Sequence, residues 1–191
     1  ARKKFLKSPS TELRNILDMF IAFALAFPKI KFTLSHNNKI LFNLNKTESL
    51  LTRASFLLNE SIINNLIPVL NNDSYIKING FIAKPQYTTQ STSKQFLFVN
   101  NRRIQDKTIS QAIKDSYSSL IPDRQLPVFL LFISIPFELV DVNVNPRKEQ
   151  LAFHSTQTIY NAVYKSIKDT LDNNNLTFGK NNAYSPITKS T

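Results

Sequence analysis

Val128-Phe129-Leu130-Leu131-Phe132-Ile133-Ser134-Ile135 is a nearly continuous apolar run. A few residues later, Val140-Asp141-Val142-Asn143-Val144-Asn145-Pro146-Arg147-Lys148 alternates valine with polar side chains. The first stretch reads as a strand buried on both faces. In the second, Val140, Val142 and Val144 can face a core while Asp141, Asn143 and Asn145 face away. Pro146 lacks an amide hydrogen and has a fixed φ, so it cannot extend a central strand and the chain turns there. Arg147 and Lys148 follow the turn. On periodicity alone this is an edge strand ending in a solvated basic turn. A strand-anchored loop is also a suitable place for a cation that meets a phosphate at a domain boundary.

Working outward, the spacing predicts strands at 66–70, 75–83 and 95–99, with a short strand at 150–153. Asp106 fits the cap of a helix reaching about Leu120, with Ile109, Ala112, Ile113, Tyr117 and Leu120 on one face. A further helix is expected over 157–171. Ser8-Pro9 offers a cap and a first-turn proline. The helix that follows, through Leu13, Ile16, Leu17, Phe20, Ala24 and Phe27, is apolar on nearly every side toward its end and is expected to be deeply packed. Pro28 ends it. Two strands, 30–34 and 40–44, meet at Asn37-Asn38, and residues 46–66 read as short helices. This order suggests an α+β or α/β domain, and an α+β class with a mixed sheet and packed helices is expected.

The chain has 191 residues, 42% of them hydrophobic, which is enough for a sizeable core. With no cysteine, disulfides and thiolate–metal sites are excluded. His36 and His154 lack ligand spacing, so no metal site is expected. The formal charge of +11 points to an anionic partner, nucleic acid before membrane surface. The longest apolar run, Phe20 to Phe27, is far short of the roughly 20 residues that a membrane span needs. Glu12 and Asp18 also argue against a secretory signal there.

Three segments, in order, resemble signatures of the MutL family of DNA mismatch-repair ATPases. Val140 to Lys148 resembles D-V-N-V-H-P-x-K. Ala1-Arg2-Lys3-Lys4-Phe5-Leu6-Lys7-Ser8 resembles P-A-R-x-K-F-L-K-S, and Phe98-Val99-Asn100-Asn101-Arg102 resembles F-V-N-G-R. The resemblance implies that residues 1–53 are the C-terminal tail of a nucleotide-binding lobe. Residues 54–172 would be the transducer lobe, a left-handed βαβ fold similar to a ribosomal protein within a GHKL ATPase region. Residues 173–191 would start a polar linker. Because Ala1 falls inside a family motif, the chain is expected to be a fragment.

The same resemblance implies that Lys148 reaches the γ-phosphate of ATP, with Asp141 and Asn143 supporting the loop. A lysine is a compact charge that can bridge two lobes only while that phosphate is present. Asn145 replaces the family histidine, and Arg147 makes the loop more basic. It also implies DNA contact by Lys107, where the family usually has arginine, with Arg102 and Arg103 adding charge nearby. A helix start with spare amide hydrogens beside a lysine is a ready phosphate site. The alternative there is a solvated helix start with ordinary surface cations. Asn101 replaces the family glycine, yet asparagine tolerates the left-handed turn. The Arg2–Lys7 run fits equally a DNA-backbone track or a solvated lead-in.

The expected function is that of a MutL-type fragment whose second lobe senses ATP, binds DNA and supports ATP-dependent dimerisation, with a MutS-type partner. The isolated chain is expected to bind no cofactor and to be inactive. It has no D-x-G-x-G, no glycine-rich lid and only Gly80 and Gly179, so no catalytic residue is assigned. The parent would be a slow ATPase with Mg held in its nucleotide-binding lobe. The motif at residues 1–8 points to a bacterial, cytoplasmic protein without a membrane partner. Two other readings are a non-enzymatic nucleic-acid-binding module of ribosomal-protein-like fold and a type II topoisomerase transducer lobe. F-V-N-x-R together with D-V-N-V argues against the topoisomerase.

Overall fold

The computed structural model describes residues 8–72, 75–141, 152–153, 155–174 and 176. Helix α1, Pro9–Ala26, opens as its sequence predicts, with the Ser8 hydroxyl accepting from the Thr11 amide and Glu12 in the first turn. Strands β1 (Phe32–His36) and β2 (Lys39–Leu44) form a hairpin whose tip, Asn37-Asn38, has φ of 49° and 61°. Both values suit a tight hairpin turn that matches strand twist. Helices α2 (Leu50–Ser55) and α3 (Glu60–Ile63) follow.

Next come β3 (Leu66–Asn71), β4 (Lys77–Ala83), β5 (Thr88–Thr89), β6 (Gln95–Val99) and β7 (Arg102–Arg103). Helix α4 (Lys107–Ser116), β8 (Leu126–Pro127), β9 (Phe129–Ser134), β10 (Val140–Asp141), β11 (Ala152–Phe153) and α5 (Thr156–Asn173) complete the order. The central sheet runs β3-β4-β9-β6-β7. Only β6 and β9 are parallel among its pairs, joined through α4, so the sheet is mixed. β5 pairs with β8, and β10 with β11.

The apolar run at 128–135 is central, as expected, with β4 on one side of β9 and β6 on the other. Its alternate residues feed two cores. Phe129, Leu131 and Ile133 join Ile67, Ile78, Leu97 and Val99 beneath α4 and α5, where Ile109, Ile113, Ile159 and Ile167 are buried. Leu130 turns the other way, with Phe96 and Phe98, toward Ala22 and Leu25 of α1 and Ala54 of α2. The result is helix–sheet–helix layering around a strand buried on both faces along most of its length, with its last residue, Ser134, exposed.

Gly80 shows how tightly the strands lie. Its φ is +131°, and a Cβ there would sit 2.1 Å from the Leu130 carbonyl oxygen. A side chain cannot be placed between those strands.

Helix α1 departs from its expected deep packing. Ala22, Ala24 and Leu25 are buried, but Ile16, Met19 and Phe23 are 52%, 61% and 51% exposed. One face lies on the sheet through Ala22 and Leu25. Phe20 packs on Phe32 and Phe42 of the hairpin, with centroids 6.0 and 5.3 Å away. The stripe between those two contacts remains open.

Candidate functional site

The F-V-N-x-R segment is the turn of the β6–β7 hairpin. Asn100 and Asn101 have φ of 47° and 64°, so the bend survives the loss of glycine at 101. Arg102 pairs with Val99 and Arg103 with Phe98. The Asn100 side chain is not free. Its Nδ2 donates to the Ile135 carbonyl at 2.9 Å, and its Oδ1 accepts the Ile135 amide at 3.0 Å. The Asn100 amide donates to Ile133 at 3.0 Å. One asparagine therefore holds the hairpin tip against the end of β9.

From the hairpin the chain enters α4. Asp106 caps the helix, accepting from the Ile109 amide at 2.9 Å. Burial pushes the Asp106 carboxyl up from its ordinary pKa, and hydrogen bonds from the Ile109 and Thr108 amides partly offset this. The capped face then buries Ile109, Ala112, Ile113 and Tyr117, as the spacing predicts. Lys107 is the first helical residue and is exposed. The helix dipole disfavours a cation there, so the position costs stability unless an anion is nearby.

The three expected DNA-facing cations do not share one fate. Arg102 and Lys107 are exposed. Arg103 is half-buried, donating through Nη1 to the Asp18 carbonyl of α1 at 3.0 Å. Its guanidinium also lies 5.6 Å from the centre of the Phe96 ring, within cation–π range. A groove of about 650 Å³ separates α1 from the hairpin, lined by Asp18, Met19, Phe23, Arg102, Arg103 and Gln105 among others.

Lys148, Asn143, Asn145 and Arg147 lie outside the described residues, as does the Arg2–Lys7 run. For Asp141 only the backbone is described. Asp141 pairs with Ala152, and Val140 with Phe153, so a two-stranded ribbon closes the base of the segment that carries Lys148.

Arg53 contributes to the net charge of +11, yet it is fully buried. Its Nη2 donates to the carbonyls of Pro28, Ile30 and Asn45 at 2.6, 2.8 and 2.8 Å. Burial lowers its pKa from the usual value. Pro28 lies just past the C-terminal end of α1, where the helix dipole favours positive charge. The available signal was a lone charge between Leu50-Leu51 and Phe56-Leu57-Leu58. Among the described residues, no group of three histidine or acidic side chains is placed to hold a metal, and no helix is long and apolar enough to cross a membrane.

A family model described as DNA mismatch repair protein, C-terminal domain, matches residues 55–172. The DNA mismatch repair protein MutL of Chlorobium phaeobacteroides is 35% identical over 171 residues, covering 90% of this chain and 27% of that protein. MutL of Flavobacterium psychrophilum is 36% identical over 174 residues, covering 90% and 28%. The chain thus spans little more than a quarter of these relatives.

Among solved structures, the N-terminal domain of a DNA repair protein superposes with a TM-score of 0.74 at 20% identity, covering 93% of this chain and 59% of that one. The Aquifex aeolicus MutL ATPase domain complexed with ADP gives 0.52 at 24%, covering 71% and 47%. At these identities the structural matches speak to the fold. The relationship itself rests on the family model and the curated relatives, and from these the chain belongs to the MutL family of DNA mismatch-repair proteins.

Proposed function

We propose that this chain supplies the transducer lobe of an ATP-dependent mismatch-repair protein, with residues 1–53 as the tail of its nucleotide-binding lobe and 173–191 as the start of a linker. The observation that carries the reading is the exposed pair Lys107 and Arg102, at a helix start and on the hairpin before it, in a chain of net charge +11. Asp106 already takes the Ile109 and Thr108 amides at that helix start, so the two exposed side-chain charges are what would attract phosphate, without sequence preference. Arg103 takes a different part, tying the hairpin to α1.

Lys148 is assigned to the terminal phosphate of ATP, with Asp141 and Asn143 shaping its loop. The paired base of that loop suits the role, because it holds together the two ends from which the segment leaves. ATP, when bound, supplies the charge that the loop reads; Mg belongs with the nucleotide-binding lobe. The open stripe Ile16, Met19 and Phe23 accords with a first segment whose lobe continues outside residues 1–191. A dimer through the ATPase region, a MutS-type partner and a cytoplasmic site complete the reading.

The test is single-turnover ATP hydrolysis by the full-length protein, wild type against Lys148→Ala. One charge-assisted hydrogen bond is worth about 1.5–3 kcal/mol, so a loss of roughly tenfold to a hundredfold is expected. An unchanged rate in a folded variant would remove Lys148 from the nucleotide.

A further inference from the structure

We infer that Lys114 is a further phosphate-contacting residue, so that DNA follows the exposed face of α4 along its length and is not held at its first turn alone. Lys114 would extend the surface already proposed for Lys107 and Arg102, and its role rests on that reading.

Helix α4 has two faces of opposite use. Ile109, Ala112 and Ile113 are buried in the core shared with the sheet and α5. Lys107, Gln111, Lys114 and, just past the helix, Ser118 are exposed. Steps of four, three and four place these four residues in one stripe. Seven residues of helix separate Lys107 from Lys114 by roughly 10 Å along the axis. That is about three phosphate steps of one DNA strand, at roughly 3.4 Å per step. Each lysine carries its charge on a flexible stem with which to meet its own phosphate.

Both charges are available. Among the described residues the ion pairs are Lys29–Glu48 and Lys168–Asp172, so Arg102, Lys107 and Lys114 take part in none. Asp115, the acid next to Lys114, is committed elsewhere. Its Oδ1 accepts from Gln111 Nε2 at 2.7 Å, and its Oδ2 accepts the Tyr160 hydroxyl of α5 at 2.7 Å. Adjacent residues on a helix do not face each other, and Tyr160 holds this carboxylate toward α5. Asp106, the other acid of α4 and its cap, is turned to the Ile109 and Thr108 amides. The stripe therefore offers two cations whose neighbouring carboxylates are satisfied by neutral donors.

A structural role for Lys114 makes a different prediction. The residue stands in the last turn of α4, where the helix dipole favours positive charge. If that were its whole role, removing the charge would lower thermal stability and leave DNA binding as it was.

The experiment titrates a fluorescent duplex with the full-length protein between about 50 and 200 mM salt, the range over which phosphate contacts are lost. Wild type is compared with Lys107→Ala, Lys114→Ala, Lys114→Arg, the double alanine variant and Lys165→Ala. Alanine is the best helix former, so α4 stays folded. Lys165 is an exposed lysine of α5 outside the stripe, and its loss changes net charge equally.

Each phosphate contact adds about 0.9 to the slope of log affinity against log salt. Lys114→Ala should lower the slope by about one, losing roughly three- to fourfold less affinity than wild type across that range. The double variant should lower it by about two, because sites this far apart act additively. Lys114→Arg and Lys165→Ala should keep the wild-type slope. An unchanged slope in Lys114→Ala, or an equal fall in Lys165→Ala, overturns the contact. If Lys107→Ala lowers the slope and Lys114→Ala does not, DNA contact at the helix start stands and its extension along α4 fails. If wild type shows no salt-dependent binding, or Lys107→Ala keeps the full slope, the underlying reading fails and the extension with it.

Discussion

Arg53 and Pro28 are joined by a 2.6 Å hydrogen bond from Nη2 to the carbonyl oxygen, linking α2 to the end of α1 across 25 positions of sequence. The same nitrogen reaches Ile30 and Asn45, the two approaches to the β1–β2 hairpin. A two-stranded ribbon is marginal alone, so this buried cation and the Phe20 contacts are what seat it. Arg53→Met should cost about 3 kcal/mol or more, because buried carbonyls lose charge-assisted donors. Urea denaturation would measure this; a midpoint equal to wild type would show that the ribbon is held by its rings alone.

Tyr117 donates its hydroxyl to the Ala83 carbonyl at 2.5 Å, where α4 meets the end of β4. Burial raises the phenol's pKa above its ordinary value of about 10. The folded chain therefore binds this proton more tightly than the unfolded chain does. The contribution is fully present below about pH 10 and is lost as pH rises further. Tyr117→Phe should cost about 1–3 kcal/mol at neutral pH, by leaving Ala83 without that donor. It should also remove this residue's share of the alkaline loss in a stability–pH series.

Gly80→Ala should be among the most damaging single changes. The new methyl would sit 2.1 Å from the Leu130 oxygen, and backbone at φ +131° strains any L side chain. The strand must shift or the sheet must open, a cost on the order of 4 kcal/mol or more. Soluble yield and thermal melting report it directly. A melting point near that of wild type would mean that β4 and β9 can part without penalty.

Lys107→Ala should weaken binding to DNA of any sequence alike, because phosphate contacts carry no base information. The slope of log affinity against log salt should fall by about one. Fluorescence titrations at several salt concentrations measure both. Unchanged slope and affinity would leave Lys107 as a solvated helix start.

Much of the fold was legible because its signals are local. The apolar run at 128–135 announced a strand with both faces covered, and β9 lies between β4 and β6 under two helical layers. Asn37-Asn38 and Asn101 marked places where asparagine tolerates positive φ, and all three adopt it. Ser8 and Asp106 marked helix starts and do cap them. Each feature depends on residues a few positions apart, where backbone sterics and hydrogen-bond geometry leave few choices.

The order of elements, their turns and caps, and the family motifs are therefore written locally in the chain. How charge and apolar surface are used depends on which segments the fold brings together. Arg53 and Arg103 look like surface cations in the chain, yet one is buried against three carbonyls and the other is bonded to Asp18. The last turns of α1 look like core, yet Met19 and Phe23 remain exposed. Asn100 looks like a turn residue and also grips Ile135, 35 positions away. Burial and hydrogen-bond partners are properties of which distant segments meet, and no local periodicity encodes that meeting.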